Sequence, residues 1–93
     1  MTTKPQKLTV NPLVTAQQTG SGSVLVDVTT GDCYELNVVG ADIWVRLARG
    51  EDEATIVPAL SAEYGIPTEV AAGDLRTLIT DLTKHGLLVS APP

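Results

Sequence analysis

The sequence has no phenylalanine, one tryptophan, two tyrosines, one cysteine and one histidine among its 93 residues. With aromatics at 3%, any core must be built from Val, Leu, Ile and Ala. A single cysteine, Cys33, cannot close an internal disulfide, which fits a reducing compartment. Cys33 and His85 together cannot supply a Cys/His zinc site, and the carboxylates show no EF-hand-like spacing. Positive charge is also scarce: six Lys/Arg stand against eleven Asp/Glu, for a net charge of −5. Such a chain is poorly suited to phosphate backbones, where Lys and Arg supply the affinity, or to an anionic membrane surface. No apolar run approaches the ~20 residues of a membrane span. Met1 to Leu8 has no apolar stretch of the signal-peptide kind. The expectation is a small cytoplasmic protein with no cofactor, no metal and no catalytic centre.

What is present is enough for one small domain. Hydrophobic residues make up 43% of the chain, and a fold of this length buries roughly 60–65% of the surface its unfolded chain exposes. Residues 1–7 read as a loose polar tail, 8–90 as the domain, and 91–93 as a C-terminal tail. Leu8, Val10, Leu13 and Val14 read as a strand interrupted at Pro12, which cannot donate a ladder hydrogen bond. Gln17 to Ser23 reads as a glycine-containing turn. Val24 to Val28 is a β-branched strand, Thr29 to Asp32 a tight reversal with Gly31 available for positive φ, and Cys33 to Leu36 the returning strand.

Three helices follow. Asn37 suits an N-cap, with Val39, Ile43, Trp44 and Leu47 on one face and Arg49-Gly50 as the stop. Glu51 to Glu53 place negative charge at the start of a second helix, whose stripe is Ile56, Leu60 and Tyr64. Pro58 is harmless there if the helix begins just before Ile56, so that the proline lies in the first turn. A third helix is expected over Glu69 to His85, capped by Thr68 and stopped by Gly86, with Leu75, Leu78 and Leu82 as its core seam and Ile79 at the flank. Leu87 to Val89 forms a short apolar end. The fold class is α+β: a three-stranded antiparallel sheet followed by a three-helix bundle, similar in outline to a winged helix-turn-helix.

Few of these residues point to chemistry. Gly20-Ser21-Gly22 does not complete a phosphate-binding fingerprint, because Leu25 stands where a glycine is required. Cys33 sits between Asp32 and Glu35, the opposite of the basic surroundings that activate a thiol. His85 at a helix C-terminus is explained by the helix dipole, and no nucleophile motif accompanies it. Trp44 belongs with the Ile43/Leu47 stripe, hence to the core. The Glu51–Glu53 run either favours the helix terminus or docks a basic partner.

One ordered pattern stands out: Val24-Leu25-Val26-Asp27, Thr30-Gly31, Tyr34-Glu35-Leu36-Asn37, Gly40-Ala41-Asp42-Ile43-Trp44, and, further on, Asp74-Leu75, Leu82 and Gly86-Leu87-Leu88. Over roughly residues 8–90 this resembles the PqqD-like family, the precursor-peptide recognition domains of pathways that make and modify ribosomal peptides (RiPPs). The free-standing length and the Tyr-x-Leu-Asn hairpin exit are most similar to the leader-recognition proteins of lasso-peptide pathways. The resemblance implies that a leader peptide adds as an antiparallel strand beside the third strand of the sheet. It also implies that the leader's side chains enter a groove against the last helix, and that the protein presents the leader to a leader peptidase or other modifying enzyme in trans without doing chemistry itself.

Elementary chemistry is compatible with that mechanism, because an edge strand is a row of unpaired N–H and C=O groups. The expected peptide-binding edge is Asp32, Cys33, Tyr34, Glu35 and Leu36. The expected opposite wall is the helix row Ala72, Arg76, Ile79 and Thr83. Tyr34 either lines the groove or packs on the sheet, and Arg76 either contacts leader or pairs with a nearby carboxylate. The competing functions are a winged-helix nucleic-acid binder and a purely structural subunit. The first is disfavoured because the third helix carries Glu69, Asp74 and Asp81 against only Arg76 and Lys84. An exposed strand edge also leaves the chain either a monomer or an edge-paired dimer.

Overall fold

The structure is a computed structural model that describes residues 8–90, the side chain of Ser90 excepted. The two expected tails, 1–7 and 91–93, lie outside the described residues. The elements are β1 (Leu8–Val10), β2 (Val14–Thr19), β3 (Gly22–Asp27), β4 (Cys33–Asn37), α1 (Val38–Ala48), α2 (Glu53–Tyr64), α3 (Thr68–Lys84) and β5 (Leu88–Ser90). Strands β2, β3 and β4 form an antiparallel sheet in that order, so β2 and β4 are its edges. The architecture is α+β, as expected from the element pattern.

The N-terminal region differs from the sequence-based expectation. Leu8 to Val14 is two strands, not one. β1 leaves the main sheet and pairs with β5, Leu8 opposite Ser90 and Val10 opposite Leu88. Asn11 makes the break: its side-chain oxygen accepts from the Leu13 N–H at 2.9 Å and its carbonyl from the Val14 N–H at 3.0 Å. Its amide group donates to the Gly86 carbonyl at 2.9 Å, which ties the segment to the C-terminal strand. The expected turn over Gln17 to Ser23 is also shorter. β2 runs to Thr19, paired with Gly22, and only Gly20 and Ser21 lie between. Thr15 to Thr19 is exposed on both faces, so no apolar alternation marked it as strand.

Gly22 is required where it stands. Its φ is 153°, and a Cβ there would fall 1.8 Å from the Leu36 carbonyl oxygen. At the next hairpin, Asp27 accepts from the Gly31 N–H at 2.7 Å and donates to the Asp32 carbonyl at 2.9 Å. Two residues thus face one, with Gly31 at φ 78°, which is the geometry of a G1 bulge.

α1 packs on one face of the sheet against β3 and β4, and α2 and α3 pack on each other and join the same core through their aliphatic stripes. Asn37 caps α1 by accepting from the Gly40 N–H at 2.8 Å. Ile43, Trp44 and Leu47 are buried, with Ile56 and Leu60 of α2, Leu25 of β3 and Leu36 of β4. Full burial of each large aliphatic side chain stabilises the fold by ~1.5–3 kcal/mol relative to exposure. Leu87 and Leu88 close the core, so the apolar end of the chain is structural.

Three helix details are corrected. α2 starts at Glu53, capped by Asp52, so Pro58 is inside the helix and not in its first turn. The carbonyl deprived of a partner by the proline is that of Ala54, an exposed residue within reach of water. Thr68 is the first residue of α3, not its cap. Pro67 holds the cap position with extended backbone and no side-chain bond, and the Thr68 hydroxyl donates to Glu69 at 3.1 Å. α3 ends at Lys84, with His85 as its C-cap.

Candidate functional site

β4 is an edge strand, and the hydrogen-bond phase of the sheet says which of its groups are open. The Asp27–Asp32 bond sets the alternation, so Tyr34 and Leu36 exchange backbone bonds with Leu25 and Ser23. The N–H and C=O groups of Cys33 and Glu35 then point outward, away from β3. Leu36 is buried in the core and Tyr34 is half-buried, whereas Cys33 and Glu35 are exposed on the other face.

Two hollows lie at the two ends of β4. One, of about 330 Å³, is lined by Asn37, Val39, Gly40 and Ile43 on one side and by Asp74, Thr77, Leu78 and Asp81 of α3 on the other. The second, of about 300 Å³, lies at the other end of β4 and is lined by Asp32, Cys33, Tyr34, His85 and Leu87. The Tyr34 and His85 rings meet there at 5.4 Å with a 55° tilt. Burial raises the Tyr34 hydroxyl above its ordinary pKa, and the Asp81 charge adds to the effect. With the outward backbone groups of β4 between them, the two hollows make up the candidate cleft; Asp81, which lines the first, lies close enough for its charge to act on Tyr34 of the second.

Cys33 to Leu36 lie on the β4 edge strand, with Asp32 just before it, whereas the four residues expected on the helix wall lie away from both hollows. Ala72, Arg76, Ile79 and Thr83 line neither hollow. Arg76 turns toward α2 and pairs with Glu53 at 2.9 Å. The buried row of α3 is Ala71, Leu75 and Leu82. Leu78, expected in the core, is half-buried and belongs to the cleft wall. A helical seam has two flanks, and the four expected residues occupy the flank away from β4. Periodicity locates a seam without saying which flank meets the sheet. The neglected signal was Leu78 itself, an apolar residue displaced from the buried row toward Asp74 and Asp81. His85, besides capping α3, lines the second hollow.

A separate hollow of about 610 Å³ lies between β2, α1 and α2, away from β4. Arg46 is fixed there by Asp42 at 2.9 Å, Glu51 at 3.3 Å and Glu63 at 3.3 Å. Burial works against its charge, but the hydrogen bonds and charges of Glu51 and Asp42 outweigh that, and its pKa lies above the ordinary value. Tyr64 donates to Asp42 at 2.9 Å, and burial together with that bond pushes its pKa to about 12. The Glu51–Glu53 run is absorbed by these interactions: Glu51 pairs with Arg46, Asp52 caps α2 and Glu53 pairs with Arg76.

Residues 22–88 match the family model described as coenzyme PQQ synthesis protein D (PqqD). The chain belongs to the PqqD family. Two solved structures are similar over nearly their whole length. A lasso peptide synthetase B1 complexed with the leader peptide shares 30% identity at a TM-score of 0.81, over 89% of this chain and 98% of that one. TbiB1 in complex with the TbiA(beta) leader peptide shares 28% identity at a TM-score of 0.81, over 91% and 99%. No curated protein sequence matches the chain. Among the described residues, no helix is long and apolar enough to cross a membrane.

Proposed function

We propose that this PqqD-family protein binds the leader region of a ribosomally made precursor peptide and presents it to a modifying or processing enzyme. The leader adds as an antiparallel strand to the outer edge of β4, bonding to the outward groups of Cys33 and Glu35. Alternate leader side chains then point toward α3. One enters the hollow at Val39, Ile43 and Leu78. Another, further along, enters the hollow at Tyr34, His85 and Leu87. The observation that carries this reading is the open β4 edge beside a two-part cleft, in a chain of the same fold as two leader-bound relatives. The binding edge keeps Asp32, Cys33, Tyr34, Glu35 and Leu36. The wall becomes Asp74, Thr77, Leu78, Asp81 and His85.

The protein does no chemistry in this scheme. It acts in the cytoplasm, and the partner is a leader peptidase or another enzyme of the same pathway working in trans. Backbone pairing supplies affinity and the hollows supply selectivity. The test is a fluorescence-anisotropy titration with labelled leader peptides, starting with the TbiA(beta) leader and the leaders of precursors encoded beside this chain. Saturable binding at micromolar concentration or below is expected for at least one. A flat titration for all of them would overturn the reading.

A further inference from the structure

The sheet has a second open edge, and its chemistry differs from that of β4. The Val28 N–H bonds to the Leu13 carbonyl at 3.0 Å, which sets the hydrogen-bond phase of β2. Leu13, Thr15, Gln17 and Thr19 bond to β3, so the backbone groups of Ala16 and Gln18 point outward, with the carbonyl of Val14. The Val14 N–H is already held by Asn11. Among the described residues no backbone hydrogen bond reaches the outward groups of Ala16 and Gln18.

Edge strands in monomeric proteins are usually guarded by a charge, a proline or a bulge. β2 has none of these. Its register with β3 is unbroken from Val14 to Thr19, and no charged residue occurs anywhere from Leu8 to Val26. The other edge has Asp32 and Glu35. Beside β2, Val38 and Val45 of α1 are 55% and 45% exposed and line the 610 Å³ hollow whose floor includes Ala16 and Gln18.

We infer that the outer edge of β2 is a homotypic interface, whose occupant is β2 of a second copy of this chain. Antiparallel pairing about Ala16 sets Ala16 opposite Ala16 of the second copy and Val14 opposite Gln18. Four backbone bonds close the pair, two between the Ala16 residues and one from each Gln18 N–H to the other copy's Val14 carbonyl; the Gln18 carbonyls are left to solvent, because the Val14 N–H is held by Asn11, and the side chains keep to their own faces. Two like copies of a charged strand would repel; two copies of this neutral strand meet no such cost. The added strand continues the floor of the hollow beneath Val38 and Val45. Two three-stranded sheets become one, and both β4 edges lie at its far ends, each still open. The inference does not depend on what β4 binds.

Sedimentation equilibrium of the full chain, from about micromolar to about millimolar concentration, tests it. The mass is expected to rise from one chain to two. Ala16→Pro removes an outward N–H that β3 does not use, so the fold keeps its own ladder while the interface loses a bond. Ala16→Lys sets two ammonium groups face to face across the two-fold axis. Both variants are expected to stay at the mass of one chain with an unchanged circular dichroism spectrum, and the lysine variant carries the test if the proline variant fails to fold. In the parent protein, amide exchange at Ala16 and Gln18 is expected to slow as concentration rises, while exchange at Cys33 and Glu35 does not. A single-chain mass throughout, or a dimer untouched by Ala16→Lys, overturns the inference.

Discussion

At the corner between α1 and α2, Arg46 holds Asp42, Glu51 and Glu63, and Tyr64 donates its hydroxyl to Asp42. Along the cleft between β4 and α3, Asp32, Glu35, Asp74 and Asp81 make no ion pair among the described residues, and His85 is the one titratable base lining either hollow. One region has engaged its acids internally around a shared cation, and the other leaves them without an ion-pair partner. The corner is polar yet structural: its partners lie within the chain, so its interactions contribute to stability. The cleft has spare backbone groups, unfilled volume and unpaired carboxylates, so its interactions become favourable only when something binds. Polarity alone therefore does not separate the two regions. Whether the polar groups already have partners within the chain does.

The largest effect should come from removing the corner's cation. Arg46→Ala leaves three carboxylates facing one another around a largely buried position. We expect a loss of about 2 kcal/mol in urea unfolding, with the remaining solvent access limiting the penalty. Leader affinity should be unchanged, and a large loss of affinity at constant stability would break the division between the regions.

The next comparison contrasts neighbours on the two flanks of α3. Thr77→Arg puts a long side chain into the cleft beside Leu78. Leader affinity should fall about tenfold, or about 1.4 kcal/mol, with unfolding changed by less than about 0.5 kcal/mol. Arg76→Ala removes an exposed pair with Glu53 and should alter neither quantity by more than about 0.5 kcal/mol. If Arg76→Ala were the variant that abolished binding, the wall would be the flank expected from sequence.

A further contrast concerns pH. The Tyr64 pKa is raised from 10.0 to about 12, chiefly by burial and then by its bond to Asp42. Folding thus favours the protonated phenol. Its contribution is complete below pH 10, where the unfolded chain is also protonated, and is lost as pH rises from 10 toward 12. Melting temperature should decline over that interval, and ultraviolet titration should find the phenol still protonated at pH 10. Tyr64→Phe should cost about 1 kcal/mol at neutral pH and flatten the part of the decline that belongs to this residue.

Local chemistry explains which parts were legible in the sequence. Asn37 as a cap, Gly31 at a reversal, and the Ile56/Leu60 stripe depend on neighbours in sequence, and the structure keeps all three. The β4 edge was legible because a β-branched hairpin must end somewhere and Cys33 to Asn37 is its last strand. The flank of α3 that lines the hollow was not, since whether Arg76 or Thr77 faces it depends on how α3 is placed against the rest of the fold, which no spacing within the helix encodes. The strand character of Thr15 to Thr19, partly read as turn, was hidden for a different reason: the segment buries nothing, so its pairing is backbone pairing without a side-chain signature. The departure of β1 depended on Asn11 reaching Gly86, 75 residues away in sequence.

That last arrangement bears on how the module can be joined to others. Because β1 and β5 run antiparallel with Leu8 opposite Ser90, the described chain enters and leaves the domain at one place. A short linker could close that gap, and new ends could be opened at the exposed Gly20-Ser21 turn, giving a circular permutant with every helix intact. For the same reason, an enzyme fused at either end would be tethered at the same corner of the domain. The distance from tether to cleft would then be nearly independent of gene order.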